Sequence, residues 1–274
     1  MTTAVAARPL PRPSAARRAL PIVLAGALVL TAIAYPLSSG SARDSVSWMI
    51  VVLGSLLSVV HAALSRGART GSALLALVTL TAIAFEAVGL ATGVPYGSYL
   101  YSDALGPTLL GVPLLVPLAW LMMAWPSWVL AELLTRTARP GRRRAARVVA
   151  AAYVFAGWDV VLDPQMVQAG YWTWAHPRPG LPGIGTVPLT NLAGWLLAGL
   201  VLMALLDVLV SRTSLAGPPR VGGAAPLLGL GWMTLGGALA HAGWLGLPGS
   251  AAWGVALAVP VLVVLLVQHR GHRR

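Results

Sequence analysis

The chain contains no cysteine, no lysine and only seven acidic residues among its 274. The absence of cysteine excludes disulfide bonds and thiolate metal sites. Charged residues make up 9% of the chain, against roughly 25% in a typical soluble domain, whereas hydrophobic residues make up 57%. This composition excludes an ordinary soluble domain and indicates a protein with several membrane-spanning segments.

Motifs for common cofactors are also missing. The sequence has no phosphate-binding Walker loop and no glycine fingerprint for a dinucleotide. It has no histidine cluster spaced for two iron ions and no pair of aspartate-rich motifs for magnesium diphosphate. We therefore predict no cofactor and no metal, and if the protein is an enzyme, acid–base chemistry by side chains alone is what remains.

Long apolar runs predict an all-α polytopic membrane protein with about eight transmembrane helices. A single transmembrane domain is predicted at 20–268, between an arginine-rich N-terminal tail at 1–19 and a basic tail at 269–274. The first run also resembles a cleaved signal peptide, which would leave seven spans. The predicted spans are 20–37, 46–65, 72–93, 108–134, 147–163, 189–211, 223–246 and 250–268.

The arginines predict the orientation of these spans. The two termini and the loops after spans two, four and six hold seventeen of the 19 arginines, and the remaining loops hold only Arg43 and Arg178. Since cytoplasmic loops are enriched in arginine, we expect a multi-pass protein of the cell membrane with both termini in the cytoplasm. The net charge of +12 then sets topology and contacts anionic lipid headgroups, so we do not expect nucleic acid as a partner.

Ionisable groups in a membrane are costly, so each one requires a reason. Glu132 and Asp207 lie near the predicted inner ends of spans, where Arg136 and Arg212 are available as partners. Six other polar residues fall in the predicted outer half and could converge on one pocket. They are Glu86, Asp103, Asp159, Asp163, Asn191 and His241. His241 could equally serve as a hydrogen-bond donor between packed helices.

The stretch "GWDVVLDPQMVQAGYWTW" (157–174) holds two of the seven acids. Asp159 and Asp163 are four residues apart and share one helix face, and Pro164 predicts that the helix ends at Asp163. Neighbouring carboxyl groups tend to divide into one that keeps its proton and one base. We expect Asp159 to donate a proton and Asp163 to hold water, with Glu86 as the substitute donor. A capped, solvated helix end is the alternative.

Aromatic residues accompany these acids in loops rich in glycine and proline. Irregular backbone at membrane depth is tolerated only where it is buried in protein or lines a cavity. An aromatic pocket with carboxylic acids suits a long polyene or a carbocation, although an interfacial aromatic belt is the simpler alternative. The candidate substrate-binding aromatics are Tyr96, Tyr99, Tyr101, Trp172, Trp174 and Trp195.

Three stretches resemble a family of carotenoid biosynthesis membrane proteins that includes hydratases of γ-carotene and of bisanhydrobacterioruberin. They are "FEAVGLATGVPYGSYLYSDALGPTLLGVPLLVPLAWLMM" (85–123), "GWDVVLDPQMVQAGYWTW" (157–174) and "GIGTVPLTNLAGWLLAG" (183–199). The hydropathy pattern extends the resemblance from about 45 to 268, so the first span is not part of it. The resemblance supplies no catalytic residues, and the site assignments above come from the residues themselves.

The resemblance implies that water is added across a terminal carbon–carbon double bond of an acyclic carotenoid dissolved in the bilayer. A general acid would protonate the alkene, and water would capture the tertiary cation. Three alternatives stay open. A carotenoid cyclase or isomerase would use the same cation but lose a proton. A transporter would use Glu86 as a proton relay, and a scaffold would only bind carotenoid.

Overall fold

The structure is a computed structural model that describes residues 14–271. The parts of the predicted terminal tails at 1–13 and 272–274 lie outside the described residues. Nearly all of the described chain outside the connecting loops is helical. The longer helices are α1 (Ala15–Ala34), α2 (Gly40–Arg66), α3 (Ala68–Thr92), α4 (Leu115–Leu134), α5 (Pro140–Gln168), α6 (Leu189–Thr213) and α9 (Pro248–Gly271).

These seven helices are long and apolar enough to cross a membrane, and a short turn at Tyr35–Leu37 extends the first of them. The predicted class, an all-α polytopic membrane protein, is therefore confirmed. α4 is the most enclosed helix, with 78% of its most apolar stretch buried, and it packs against α2, α3 and α5. α6 packs against α5 and α3, so α3 to α6 surround a common interior.

The predicted span at 223–246 is helical but not a single α-helix. It consists of α7 (Ala224–Gly231), a π-helical turn (Trp232–Gly236) and α8 (Gly237–Gly243). Glycines are frequent in this run, and a glycine weakens the interior of an α-helix because it loses the most conformational freedom on folding. The seventh predicted span thus contains a wide turn of a kind that is often found at functional sites.

Proline 164 does not end α5, as the sequence predicted, because the helix continues to Gln168. Proline removes one backbone hydrogen bond, here the one to the Val160 carbonyl, but this loss is tolerated inside a packed membrane bundle. Asp163, Pro164 and Met166 are all buried, so packing outweighs the local preference against a helix. The aspartate pair consequently lies within the helix and not at its end.

Two short antiparallel pairs of strands lie at one end of the bundle. β1 (Tyr99–Tyr101) pairs with β4 (Trp172–Trp174), and β2 (Thr108–Leu109) pairs with β3 (Val112–Pro113). We call the β1–β4 pair the ribbon and this end of the bundle the ribbon end. The opposite end, where α2, α4 and α6 finish and α3 and α5 begin, is called the arginine end.

The arginine end is held by ion pairs. Arg66 pairs with Glu132, and Asp207 is paired with Arg147 at 2.5 Å and with Arg144 at 3.0 Å. The sequence correctly predicted that these two acids pair with arginines, but it named the wrong partners. Neighbours along one helix were chosen, whereas the observed partners come from adjacent helices.

Candidate active site

The ribbon aligns four aromatic side chains on one face. Tyr99 lies opposite Trp174, and Tyr101 lies opposite Trp172. Because side chains alternate along a strand, these four share a face, and the intervening Leu100 points away and is 73% exposed. The opposed rings are in contact, with centroids 6.0 Å and 5.7 Å apart respectively. The aromatics are therefore assembled into one wall and are not scattered along an interfacial belt.

Glu86 of α3 lies under this wall and is 3% exposed. The hydroxyls of Tyr99 and Tyr101 both donate to its Oε2 atom, at 2.6 Å and 2.8 Å. Burial, together with the nearby Glu86, raises the pKa of both phenols above the usual value near 10, so they remain protonated donors at neutral pH. The ribbon thus fixes the orientation of one buried carboxyl group.

Tyr96 is clasped between two helices that carry glycine at the points of contact. A Cβ atom at Gly89 of α3 would lie 2.9 Å from the Tyr96 ring, and one at Gly194 of α6 would lie 2.6 Å from it. Glycine at both positions therefore lets the ring insert between the helices. The Tyr96 hydroxyl is buried without a hydrogen-bond partner among residues 14–271, so a phenol donor remains unused inside the bundle.

The aspartates of α5 are joined through Asn191 in the first turn of α6. The Asn191 amide nitrogen donates to Asp159 Oδ2 at 2.8 Å and to Asp163 Oδ2 at 2.5 Å. Its two N–H groups match the two acceptors, so a single side chain holds both carboxyl groups together. All three residues are buried, and the second oxygen of Asp159, Oδ1, has no partner within the described chain.

A cavity of about 840 Å³ lies among these groups. Glu86, Asp163 and Asn191 line it, and no arginine or histidine of the described chain does. All six aromatic residues that the sequence named as candidates are in its wall. Its aromatic lining consists of Tyr35, Tyr96, Tyr99, Tyr101, Trp120, Trp158, Trp172, Trp174 and Trp195. We call this space the site cavity.

Three of the predicted site residues do not line the site cavity. Asp159 faces a separate, smaller cavity of about 260 Å³, beside Pro188 of the loop before α6. Asp103 begins an exposed turn that follows the ribbon strand β1. His241 is buried between Ser250 and Gln165, at 2.5 Å and 2.9 Å, which corresponds to the packing role considered for it.

Several lining residues were not predicted from the sequence. Tyr35 comes from the turn after α1, outside the stretches that carry the family resemblance. Gln165 directly follows Pro164 within the quoted stretch 157–174, where it could have been identified. Trp120 could have been found from its position in the quoted stretch that leads into α4. Among the described residues, no three histidine, aspartate or glutamate side chains are grouped to hold a metal ion.

Comparison with known proteins places the chain in a family. The profile of the family described as "Carotenoid biosynthesis protein" matches residues 46–264, so the match leaves out α1. A relative named bisanhydrobacterioruberin hydratase, from Haloarcula japonica, is 38% identical over 151 residues. That alignment covers 54% of this chain and 48% of the relative, about half of each. No solved structure matches. The chain is a multi-pass membrane protein that belongs to the carotenoid biosynthesis protein family.

Proposed function

We propose that this protein is a carotenoid hydratase, which adds water across a terminal carbon–carbon double bond of an acyclic carotenoid. Membership of a carotenoid biosynthesis family supports the substrate class, and the name of the relative from Haloarcula japonica supports the reaction. The observation that carries the proposal is the site cavity itself. Buried carboxyl groups that form no ion pair within residues 14–271 face a wall of nine aromatic rings.

Hydration of an isolated alkene needs an acid and protection of the resulting cation. The alkene π electrons take a proton onto the less substituted carbon, which leaves a positive charge on the tertiary carbon. Aromatic ring faces attract a cation by their quadrupole, and each close contact is worth about 0.5–2 kcal/mol. A water oxygen then bonds to the tertiary carbon and loses one proton. The sum is alkene plus water giving a tertiary alcohol.

Asp163 is our choice for the proton donor because it lines the site cavity, whereas Asp159 does not. The sequence suggested Asp159 as the donor and Asp163 as the residue that holds water, so the proposal moves the donor role one turn along α5. Two carboxyl groups at one buried site commonly share a proton, and Asn191 joins these two. The proton that water loses returns to the carboxylate left on Asp163, so the acid is restored after each cycle.

Glu86 and Tyr96 are suited to bind and orient the attacking water. Two phenols donate to Glu86, so it is arranged as an acceptor, and an acceptor in the cavity can hold a water hydrogen and face the developing cation. The unpartnered Tyr96 hydroxyl supplies a donor to the same space. Both residues line the cavity together with Asp163.

Expression in cells that make an acyclic carotenoid, followed by mass analysis of the pigments, tests this function. We expect the product to gain the mass of one water per reacted end. A product of unchanged mass would indicate a cyclase or isomerase and would overturn the proposal. Asp163→Asn should lower product per folded protein by about 10²–10⁴-fold, the usual contribution of a general acid. Asp103→Asn, the same change on an exposed turn, is the matched control and should have no effect.

We further propose that both termini are cytoplasmic, so that the site lies toward the outer face. The arginine end gathers Arg66, Arg136 and Arg147, whereas loops near the ribbon end carry only Arg43 and Arg178. A reporter that is active only in the cytoplasm, fused after Arg274, should be active. The same reporter inserted after Asp103 should be silent, and the opposite pattern would reverse the orientation.

A further inference from the structure

A second cavity, of about 970 Å³, adjoins the site cavity. It lies between the end of α1, α5 and the run that contains the π-helical turn. Six residues line both cavities, so only side chains separate them: Tyr35, Ile50, Trp158, Leu162, Gln165 and Met233. The two spaces are therefore neighbours in the bundle interior that share one wall of side chains.

The second cavity differs from the first in its chemistry. No acidic or basic side chain of the described chain lines it, and its other walls are apolar. Three of its lining residues, Leu37, Leu239 and Trp244, are 70%, 60% and 60% exposed. In a bundle that crosses a membrane, exposed apolar groups of this kind contact lipid. The second cavity thus opens sideways, toward acyl chains.

The π-helical turn shapes this opening. Trp232, Met233 and Gly236 of the turn all line the second cavity, and Met233 reaches the site cavity as well. A π-helical turn widens the helix locally and is frequently associated with function. Gly236 and Gly237 line the cavity without side chains and so leave it open.

We propose that the second cavity binds the polyene chain of the carotenoid whose end lies in the site cavity, and that the molecule enters there from the bilayer. This inference rests on the proposed function, because it assumes that the site cavity takes a carotenoid end. Conjugated double bonds keep a polyene straight, so the chain cannot fold back beside its own end. The ribbon lies over the site at the ribbon end, which leaves the lateral path.

A third cavity, of about 920 Å³, provides the comparison. It lies between α4, α5, α7 and α9, is also apolar, and shares only Trp158 with the site cavity. Ala240 lines the second cavity and Ala258 lines the third. The same substitution at these two positions therefore fills one cavity or the other.

The experiment compares Ala240→Phe with Ala258→Phe. The probe is lycopene, a straight acyclic carotenoid, and the first measurement is lycopene retained per folded protein after purification in detergent. Ala240→Phe should reduce retention at least about tenfold, and Ala258→Phe should leave it unchanged. Ala32→Phe, on the α1 side of the second cavity, should repeat the loss if Ala240→Phe does not fold. Retention that falls only with Ala258→Phe, or that falls with neither substitution, overturns the proposal.

The second measurement separates this inference from the proposed function. Myrcene is a short terpene that carries the same trisubstituted alkene end as lycopene but no long polyene. Ala240→Phe should lower the hydration of lycopene at least about tenfold more than that of myrcene. Equal losses for both compounds would overturn the polyene assignment. A wild-type protein that retains lycopene but hydrates neither compound would refute the hydratase function. The retention measurement would then still decide whether the second cavity binds the polyene chain.

Discussion

The two ends of the bundle bury acidic residues in opposite ways. At the arginine end, Asp207 is enclosed by two guanidinium groups, and Glu132 is paired with Arg66. At the ribbon end, Glu86, Asp159 and Asp163 are buried together, and none of them forms an ion pair within residues 14–271. Removing a charge from water is costly unless the charge is paired. The ion pairs of the arginine end therefore compensate its buried acids, whereas the buried acids of the ribbon end lack this compensation.

Aromatic residues follow the same division. Trp128 at the arginine end packs between Arg66 and Arg147, whose guanidinium carbons lie 5.3 Å and 5.4 Å from its ring centre. Its π face is therefore already engaged by cations of the protein. The rings around the site cavity contact one another, as Trp120 and Trp195 do at 5.1 Å, and no arginine lines that cavity among the described residues. Arg43 already covers the Tyr35 ring at 5.3 Å, and the other rings are left to stabilise a cation that the substrate provides.

The largest expected difference between the two ends comes from making one substitution at both of them. Glu86→Gln should lower hydrated carotenoid per folded protein by about 10²–10³-fold, because it replaces a preorganised carboxyl group that is placed to hold the water beside the developing cation. Glu132→Gln should leave this activity unchanged, since that residue only pairs with Arg66. Pigment analysis of membranes with matched amounts of folded protein provides the measurement. Equal activities in the two variants would mean that the ends do not differ in function.

A smaller effect should appear in stability and not in activity. Asp207→Asn leaves two arginines without their charged partner, which should lower the free energy of unfolding by about 1–3 kcal/mol. Asp163→Asn breaks no ion pair and should lower it less. Thermal unfolding in detergent distinguishes the two variants. If Asp163→Asn were the more destabilising change, the acids of the ribbon end would be structural as well.

The comparison also explains what could be predicted from the sequence. Transmembrane helices were predictable because apolar length determines them, and each of α2 to α6 overlaps its predicted span, although α5 extends beyond its span at both ends. The grouping of Glu86, Asp163 and Asn191 was predictable because residues at equal depth in a bundle converge. The ribbon was not, because strands of three residues are too short to show a two-residue period.

The errors arose where local preference competes with packing. Pro164 predicted a helix end, but α5 continues because its buried side chains are held by neighbouring helices. The roles predicted for Asp159 and Asp163 also assumed that end, and the proposal of Asp163 as the donor comes instead from its place in the wall of the site cavity. The partners of Glu132 and Asp207 also come from other helices, which spacing along one helix does not reveal.

The smallest effect concerns the two phenols that hold Glu86. Tyr99→Phe and Tyr101→Phe each remove one of two hydrogen bonds to the same oxygen atom. Each should reduce activity by about tenfold or less, since a hydrogen bond contributes about 0.5–1.5 kcal/mol net, and the double variant should approach Glu86→Gln. Tyr153→Phe is the matched control, because its hydroxyl donates at 2.8 Å to the Leu257 carbonyl, away from the site cavity.

The pH dependence of the wild-type protein gives an independent check on these phenols. Burial raises the pKa of Tyr99 and Tyr101, so each remains a neutral donor as the pH rises through the ordinary tyrosine value of about 10 and is lost only above it. Hydration measured in detergent should therefore not decrease near pH 10 because of these phenols. If the wild-type activity did decrease near pH 10, and Tyr99→Phe or Tyr101→Phe lacked this decrease, a phenol would ionise at its usual value and would not be held against Glu86 in a dry interior.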